Sequence, residues 1–148
     1  MRVRGLLATL GAALALAGAA GCGSAANDYR GDVKDVQGKY LDQLQPVVNK
    51  LQTDIGANRY AAASTDARRA GAIAGKLAVA IAALDPPKKL QPRATELVGA
   101  YKGFQKALDQ LAAALKSRKQ AAIQAALKTF NTAQQQETDA VDALNKAD

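Results

Sequence analysis

The feature that most constrains the fold is a series of regularly spaced apolar residues in the second half of the chain. Its members alternate at steps of three and four residues: Ala94, Leu97, Tyr101, Phe104, Leu108, Leu111 and Leu115. This heptad spacing places all of their side chains on one face of an α-helix, whereas a half-buried strand needs an apolar residue at every second position. Because a helix with one apolar face must bury it against other elements, the run predicts an all-α protein with coiled-coil-like packing.

Three other segments have the same periodicity. The first precedes Gly56, a common type of helix stop, and consists of Tyr29, Val33, Val36, Tyr40, Leu44, Val47, Leu51 and Ile55. The second is rich in alanine and ends at "DPP", residues 85–87; the last contains Ile123, Leu127, Phe130, Val141 and Leu144. Short loops between long helices make consecutive helices antiparallel. We therefore expect an antiparallel up-down four-helix bundle over residues 28–148.

The start of the chain has the parts of a secretory signal peptide. Arg2 and Arg4 precede an uncharged run from Gly5 to Ala20. At about 16 residues this run is shorter than the roughly 20 that a membrane-spanning helix needs. It is followed by "AAGC", which ends at Cys22, the only cysteine of the chain. Because an unpaired thiol is reactive in an exported protein, the position of this cysteine predicts a chemical role for it.

The "AAGC" stretch resembles the lipobox of bacterial lipoproteins, in which small residues precede an obligatory cysteine. Ala19 stands where the family pattern prefers leucine. The resemblance implies a signal peptide at residues 1–21 and a diacylglycerol on the Cys22 thiol. Residues 22–27 would then form the lipidated cysteine and a short tether. The alternative is an ordinary cleaved signal peptide with a free cysteine. The "DPP" between two alanine-rich helices also resembles the layout of small helical lipoproteins of high-GC bacteria, which implies no particular function.

Two sets of residues are candidates for binding a small ligand. Gln134 and Glu137 occupy positions in the fourth stripe where leucine is expected, so they could contact a ligand or fix the register of the helix. The stripe could instead rotate, with Ala133 and Ala140 facing the core. In addition, the small alanine side chains and a kink at Pro46 could leave an apolar cavity. The side chains expected to line it are Tyr40, Leu44, Tyr101 and Phe104.

Basic residues concentrate in the loops of the predicted bundle. The end nearest the membrane is expected to carry Arg30, Lys34, Lys88, Lys89 and Arg93. A basic residue near an anionic surface can add about 1 kcal/mol to membrane binding. The sequence therefore suggests anionic lipid or a wall polymer as partners, although the opposite end is basic as well.

Groups for catalysis are scarce. The chain has no histidine, and its one cysteine lies in the lipobox, so we expect no catalytic residue, metal or cofactor. The sequence favours a non-enzymatic, lipid-anchored bundle on the extracytoplasmic face of the cell membrane. Its expected partners are membrane lipid through Cys22 and an unidentified protein, but not nucleic acid. The alternative function is a small-ligand-binding or sensor-like domain.

Overall fold

The computed structural model describes residues 24–147, which form four helices. These are α1 (Ser24–Gly56), α2 (Tyr60–Ala82), α3 (Gln91–Ser117) and α4 (Gln120–Lys146). Each helix packs against the next one along the chain, and the described residues contain no strand. The predicted all-α bundle is confirmed. None of the four helices combines the length and hydropathy needed to cross a bilayer.

The contacts at the two ends of the bundle show that the helices alternate in direction. At one end Tyr29, near the start of α1, shares a core cluster with Ile81, Leu90 and Leu144. We call this the N-terminal end, since α1 begins there. At the far end the last turns of α1 and α3 meet the first turns of α2 and α4.

Small residues allow α2 and α3 to approach closely. Four alanines on the buried side of α2 are fully buried: Ala63, Ala67, Ala70 and Ala74. A Cβ atom added at Gly71 would lie 2.9 Å from Asp109 Oδ1 and 3.6 Å from the carbonyl oxygen of Gln105. The alanine-rich segment is therefore a buried helix whose small side chains are compensated by short distances to its neighbour.

Some boundaries differ from those expected. α1 begins at Ser24 rather than Asp28, so residues 24–27, which belong to the predicted tether, are helical. Alanine has the highest helix propensity, and Ala26 packs against the N-terminal cluster, which accounts for the longer helix. α1 also continues through Pro46, whose ring is exposed. Residues 1–23, which include the predicted signal peptide and Cys22, lie outside the described residues.

Candidate functional site

A chain of three polar side chains, two buried and one partly buried, crosses the middle of the bundle. Gln37 Nε2 of α1 donates a 2.8 Å hydrogen bond to the hydroxyl oxygen of Tyr101 on α3. The Tyr101 hydroxyl in turn donates a 2.8 Å hydrogen bond to Glu137 Oε1 on α4. Gln37 and Tyr101 are only 3% and 2% exposed. We call these three side chains the polar layer; it connects three helices through one hydroxyl group.

Helical spacing explains why these polar side chains face inward. Gln37 lies one turn after the buried Val33 and two turns before the buried Leu44. Glu137 stands two turns from both Phe130 and Leu144, which are also buried. The polar layer thus separates the apolar cluster of the N-terminal end from that of the far end. Interior hydrogen bonds of this kind constrain helix register, because a shifted helix would leave buried polar atoms unpaired.

The surroundings of the polar layer change the acidity of its groups. Burial raises the pKa of the Tyr101 hydroxyl, and the charge of Glu137 raises it further. Burial also raises the pKa of the Glu137 carboxyl, while the hydrogen bond from Tyr101 acts in the opposite direction. Tyr101 therefore stays protonated and acts as a donor, and Glu137 is the group of this layer that can take up a proton.

The candidate ligand-binding residues are only partly brought together. Tyr101 and Glu137 are in direct contact. Leu44 and Phe104 belong to the packed far cluster, where the ring of Phe104 lies 5.3 Å from that of Phe130. Tyr40 is half-buried and borders a surface groove of about 600 Å³. Leu44, Tyr101 and Phe104 are buried in the two core clusters, whereas Tyr40 borders this groove.

On α4 both interpretations of the polar positions apply in part. Ala133 and Ala140 are buried, as expected if the stripe rotates. Glu137 nevertheless faces Tyr101 between them, and Gln134 is half-buried. Sequence reasoning missed Gln37 because we assigned the stripe of α1 to Val36 and Tyr40, which are half-buried. The signal that could have found it is its one-turn spacing from Val33.

A second cluster pairs two buried aspartates with two exposed basic side chains and connects α1 to α2 at the far end. Asp54 accepts hydrogen bonds from Arg59 Nε at 2.8 Å and from Lys50 Nζ at 3.1 Å. Lys50 also contacts Asp66 Oδ2 at 2.6 Å. The hydrogen bond from Arg59, followed by that from Lys50, lowers the pKa of the Asp54 carboxyl. Each of these ions has an opposite charge beside it, so the arrangement is suited to holding the two helices together.

The basic residues expected near the membrane do lie at the N-terminal end, with one difference. Arg30 points across to α4, where its guanidinium donates to the carbonyl oxygens of Leu144 (3.2 Å) and Ala147. It therefore satisfies the last carbonyl groups of α4 instead of facing a partner. The remaining four are exposed, and one of them also pairs with Glu96: Lys34, Lys88, Lys89 and Arg93. Exposed aspartates share this end, among them Asp28, Asp32 and Asp85.

One further hydroxyl at the N-terminal end is unusual. Tyr29 is 3% exposed, and its hydroxyl has no hydrogen-bond partner within residues 24–147. Burial raises the pKa of this group. Tyr29 is thus a buried phenol without the pairing that Tyr101 has.

No protein-family model, curated protein or solved structure matches the chain. Within the described residues there is also no group of three or more side chains able to hold a metal ion. Functional inference therefore depends on the residues themselves.

Proposed function

We propose that this protein is a lipid-anchored, non-enzymatic helical bundle on the extracytoplasmic face of the cell membrane. The observation that carries the proposal is the stretch "LALAGAAGCG", which places the sole cysteine directly after a short apolar run. A diacylglycerol on the thiol of Cys22 would supply two acyl chains. Two chains give stable membrane anchoring where a single one does not, since each buried CH₂ contributes about 0.8 kcal/mol.

The start of α1 supports an anchor at this position. Ser24 is the first described helical residue and lies two residues after Cys22. Two residues span at most about 7 Å, so an anchored bundle would stand with its N-terminal end close to the lipid. The exposed Lys34, Lys88 and Lys89 would then lie near lipid headgroups, where anionic lipid or a wall polymer could contact them.

The side-chain inventory supports a role without catalysis. The chain lacks histidine, and the proposed modification would consume its only thiol. The charged clusters inside the bundle are paired: Glu137 accepts from Tyr101, and Asp54 is held by Arg59 and Lys50. These groups are occupied in connecting helices, which suits an interaction module.

The test compares Cys22→Ser with the matched neighbouring substitution Ser24→Ala, both expressed as full chains in a bacterium that processes lipoproteins. We expect the unsubstituted chain and Ser24→Ala to remain in the membrane fraction after a high-salt wash and to incorporate a labelled fatty acid. Cys22→Ser should lose both properties. A Cys22→Ser protein that stays with washed membranes would contradict the anchor.

A further inference from the structure

Two shallow grooves on the outside of the bundle adjoin each other along α2. The first, of about 520 Å³, is lined by Lys50 of α1 and by Arg69 and Lys76 of α2. The second, of about 600 Å³, is lined mainly by apolar side chains of α2. Both grooves include Ala72 and Lys76, so they join at that point. We call the combined feature the α2 furrow.

The half of the α2 furrow nearer the N-terminal end is apolar. It contains Val79, Ala80 and Ala83, with Tyr40 of α1 on one side. Val79 is 67% exposed, which makes it the exposed large hydrophobic side chain of the described bundle. Covering such an exposed side chain with another apolar group is favourable, because it removes apolar surface from water. This half is therefore suited to a narrow hydrocarbon chain.

The other half of the α2 furrow is positively charged. Lys50 is neutralised there, because it contacts both Asp54 and Asp66. Arg69 and Lys76 are exposed and take part in none of the ion pairs of the described residues. Asp66 also lines this half, but its carboxylate is paired with Lys50. Arg69 and Lys76 are therefore the cations that can attract an anionic group along the furrow.

The wider distribution of charge reinforces this local attraction. Residues 57–119, which include α2, α3 and their flanking loops, contain twelve basic and four acidic side chains. Residues 24–56, which form α1, contain four basic and five acidic ones. The positive charge of the protein thus belongs to the α2–α3 side of the bundle. An anion is drawn toward this side before it makes any specific contact.

We propose that the α2 furrow binds a long-chain fatty acid. The carboxylate would lie between Arg69 and Lys76, and the acyl chain would run over Val79, Ala80 and Ala83. At 1.5 Å per helical residue, the furrow is about 21 Å long from Arg69 to Ala83, and about 10 Å of this length lies beyond Lys76, where the first part of the acyl chain would contact the apolar side chains. An amphiphile with one anionic head and one chain matches both halves, whereas an anion without a chain or a neutral chain matches only one.

The direction of the α2 furrow agrees with the orientation of membrane lipid. Ala83 lies just beyond the last turn of α2, at the N-terminal end, and Arg69 lies further from that end. If the bundle stands on Cys22, the apolar half is nearer the bilayer and the basic half points away, as the chain and headgroup of an outer-leaflet lipid do. This orientation rests on the proposed anchor, but binding itself does not.

The test uses the chain from residue 22 onward with Cys22→Ser, which contains both core clusters of the bundle. Palmitate is titrated below its micelle-forming concentration, with binding followed by calorimetry and the affected residues by NMR. We expect saturable binding of one palmitate with shifts concentrated in α2. Hexadecanol and acetate, which supply only the chain or only the anion, should bind at least about tenfold more weakly.

Substitutions of exposed side chains separate binding from folding. The double change Arg69→Glu with Lys76→Glu, and separately Val79→Asp, should each weaken palmitate binding at least about tenfold. Lys106→Glu, an equally exposed change on α3 outside the furrow, is the matched control and should leave binding nearly unchanged. The proposal is overturned if palmitate does not saturate a single site, if hexadecanol or acetate binds as well, or if Lys106→Glu weakens binding equally. Because this chain lacks Cys22, such a failure says nothing against the anchor.

Discussion

Removal of one hydroxyl group from the polar layer is expected to destabilise the bundle strongly. Tyr101→Phe deletes the oxygen that accepts from Gln37 and donates to Glu137, while the ring stays in place. Gln37 is 3% exposed, so its amide would be left without a partner in the interior. A buried group left unpaired costs about 1–3 kcal/mol, and a hydrogen bond to a charged acceptor contributes about 1.5–3 kcal/mol.

The partial exposure of Glu137 reduces the loss of stability expected from this substitution. Glu137 is only partly buried, so water can replace some of the bond that its carboxylate loses. We therefore expect Tyr101→Phe to lower the free energy of unfolding by about 2–3 kcal/mol. For a domain of this length that corresponds to a fall in Tm of about 10 °C.

The chain offers a matched control in Tyr29→Phe. This substitution removes the same atom from an equally buried ring, but the Tyr29 hydroxyl has no partner among residues 24–147. Deleting an unpaired buried hydroxyl should leave stability unchanged or raise it by about 1 kcal/mol. The same chemical change is therefore expected to lower the free energy of unfolding at Tyr101 but not at Tyr29.

The assay is equilibrium unfolding in urea at neutral pH, followed by circular dichroism at the helical band. Comparison of the midpoints is valid if the slopes agree among the parent protein, Tyr101→Phe and Tyr29→Phe. Equal losses of stability in both variants would refute the reasoning, because they would show that the loss does not depend on the hydrogen bonds of the Tyr101 hydroxyl.

Three further predictions concern stability. Because the pKa of the Glu137 carboxyl is raised, the folded state binds the proton of this carboxyl more tightly than the unfolded state does. The free energy of unfolding should therefore fall as the pH rises from the ordinary pKa of glutamate through the raised pKa. Glu137→Gln should flatten that part of a plot of urea midpoint against pH, and an unchanged slope would contradict the assignment. Gly103→Ala, where an added methyl group meets nothing within 4 Å, should raise stability by about 0.5–1 kcal/mol in thermal unfolding. Gly71→Ala should gain less, because its methyl group would lie 2.9 Å from a side-chain oxygen of α3.

The apolar framework of the fold could be predicted from the sequence because its periodic signal is strong. The seven apolar residues of the heptad pattern in α3, from Ala94 to Leu115, are all buried. The glycine at position 56 ends α1, and α3 begins at Gln91 beside Pro92, within the region expected from the prolines. These features depend on local spacing and backbone preference, which one segment shows without its neighbours.

The polar layer could be predicted only in part. Tyr101 is a candidate because it is expected to line an apolar cavity, and Glu137 because it stands where leucine is expected, but their contact spans α3 and α4. Gln37 was missed, since a glutamine in the core is stable only when a distant side chain completes its hydrogen bonds. The contact of Arg30 with the end of α4 also depends on a distant part of the chain. In the sequence, a basic residue near the start of a helix usually indicates a solvated surface.

The α2 furrow depends on which face of a helix its neighbours leave uncovered. In the sequence, Val79 lies two residues from both Leu77 and Ile81, so helical spacing places it on the opposite face of α2 from these buried residues. The positions of α1 and α3 show in addition that none of the other described helices covers Val79. Likewise, the pairing of Lys50 with two aspartates leaves Arg69 and Lys76 as the cations available to a ligand.

The most direct test of the central claim is the intact mass of the protein extracted from the membranes of a lipoprotein-processing bacterium. The account predicts a chain that starts at Cys22 and carries the additional mass of a diacylglycerol on its first residue. Fragmentation should locate that mass on the Cys22 sulfur. A chain that begins at another residue, or one that begins at Cys22 with an unmodified thiol, would contradict the anchor.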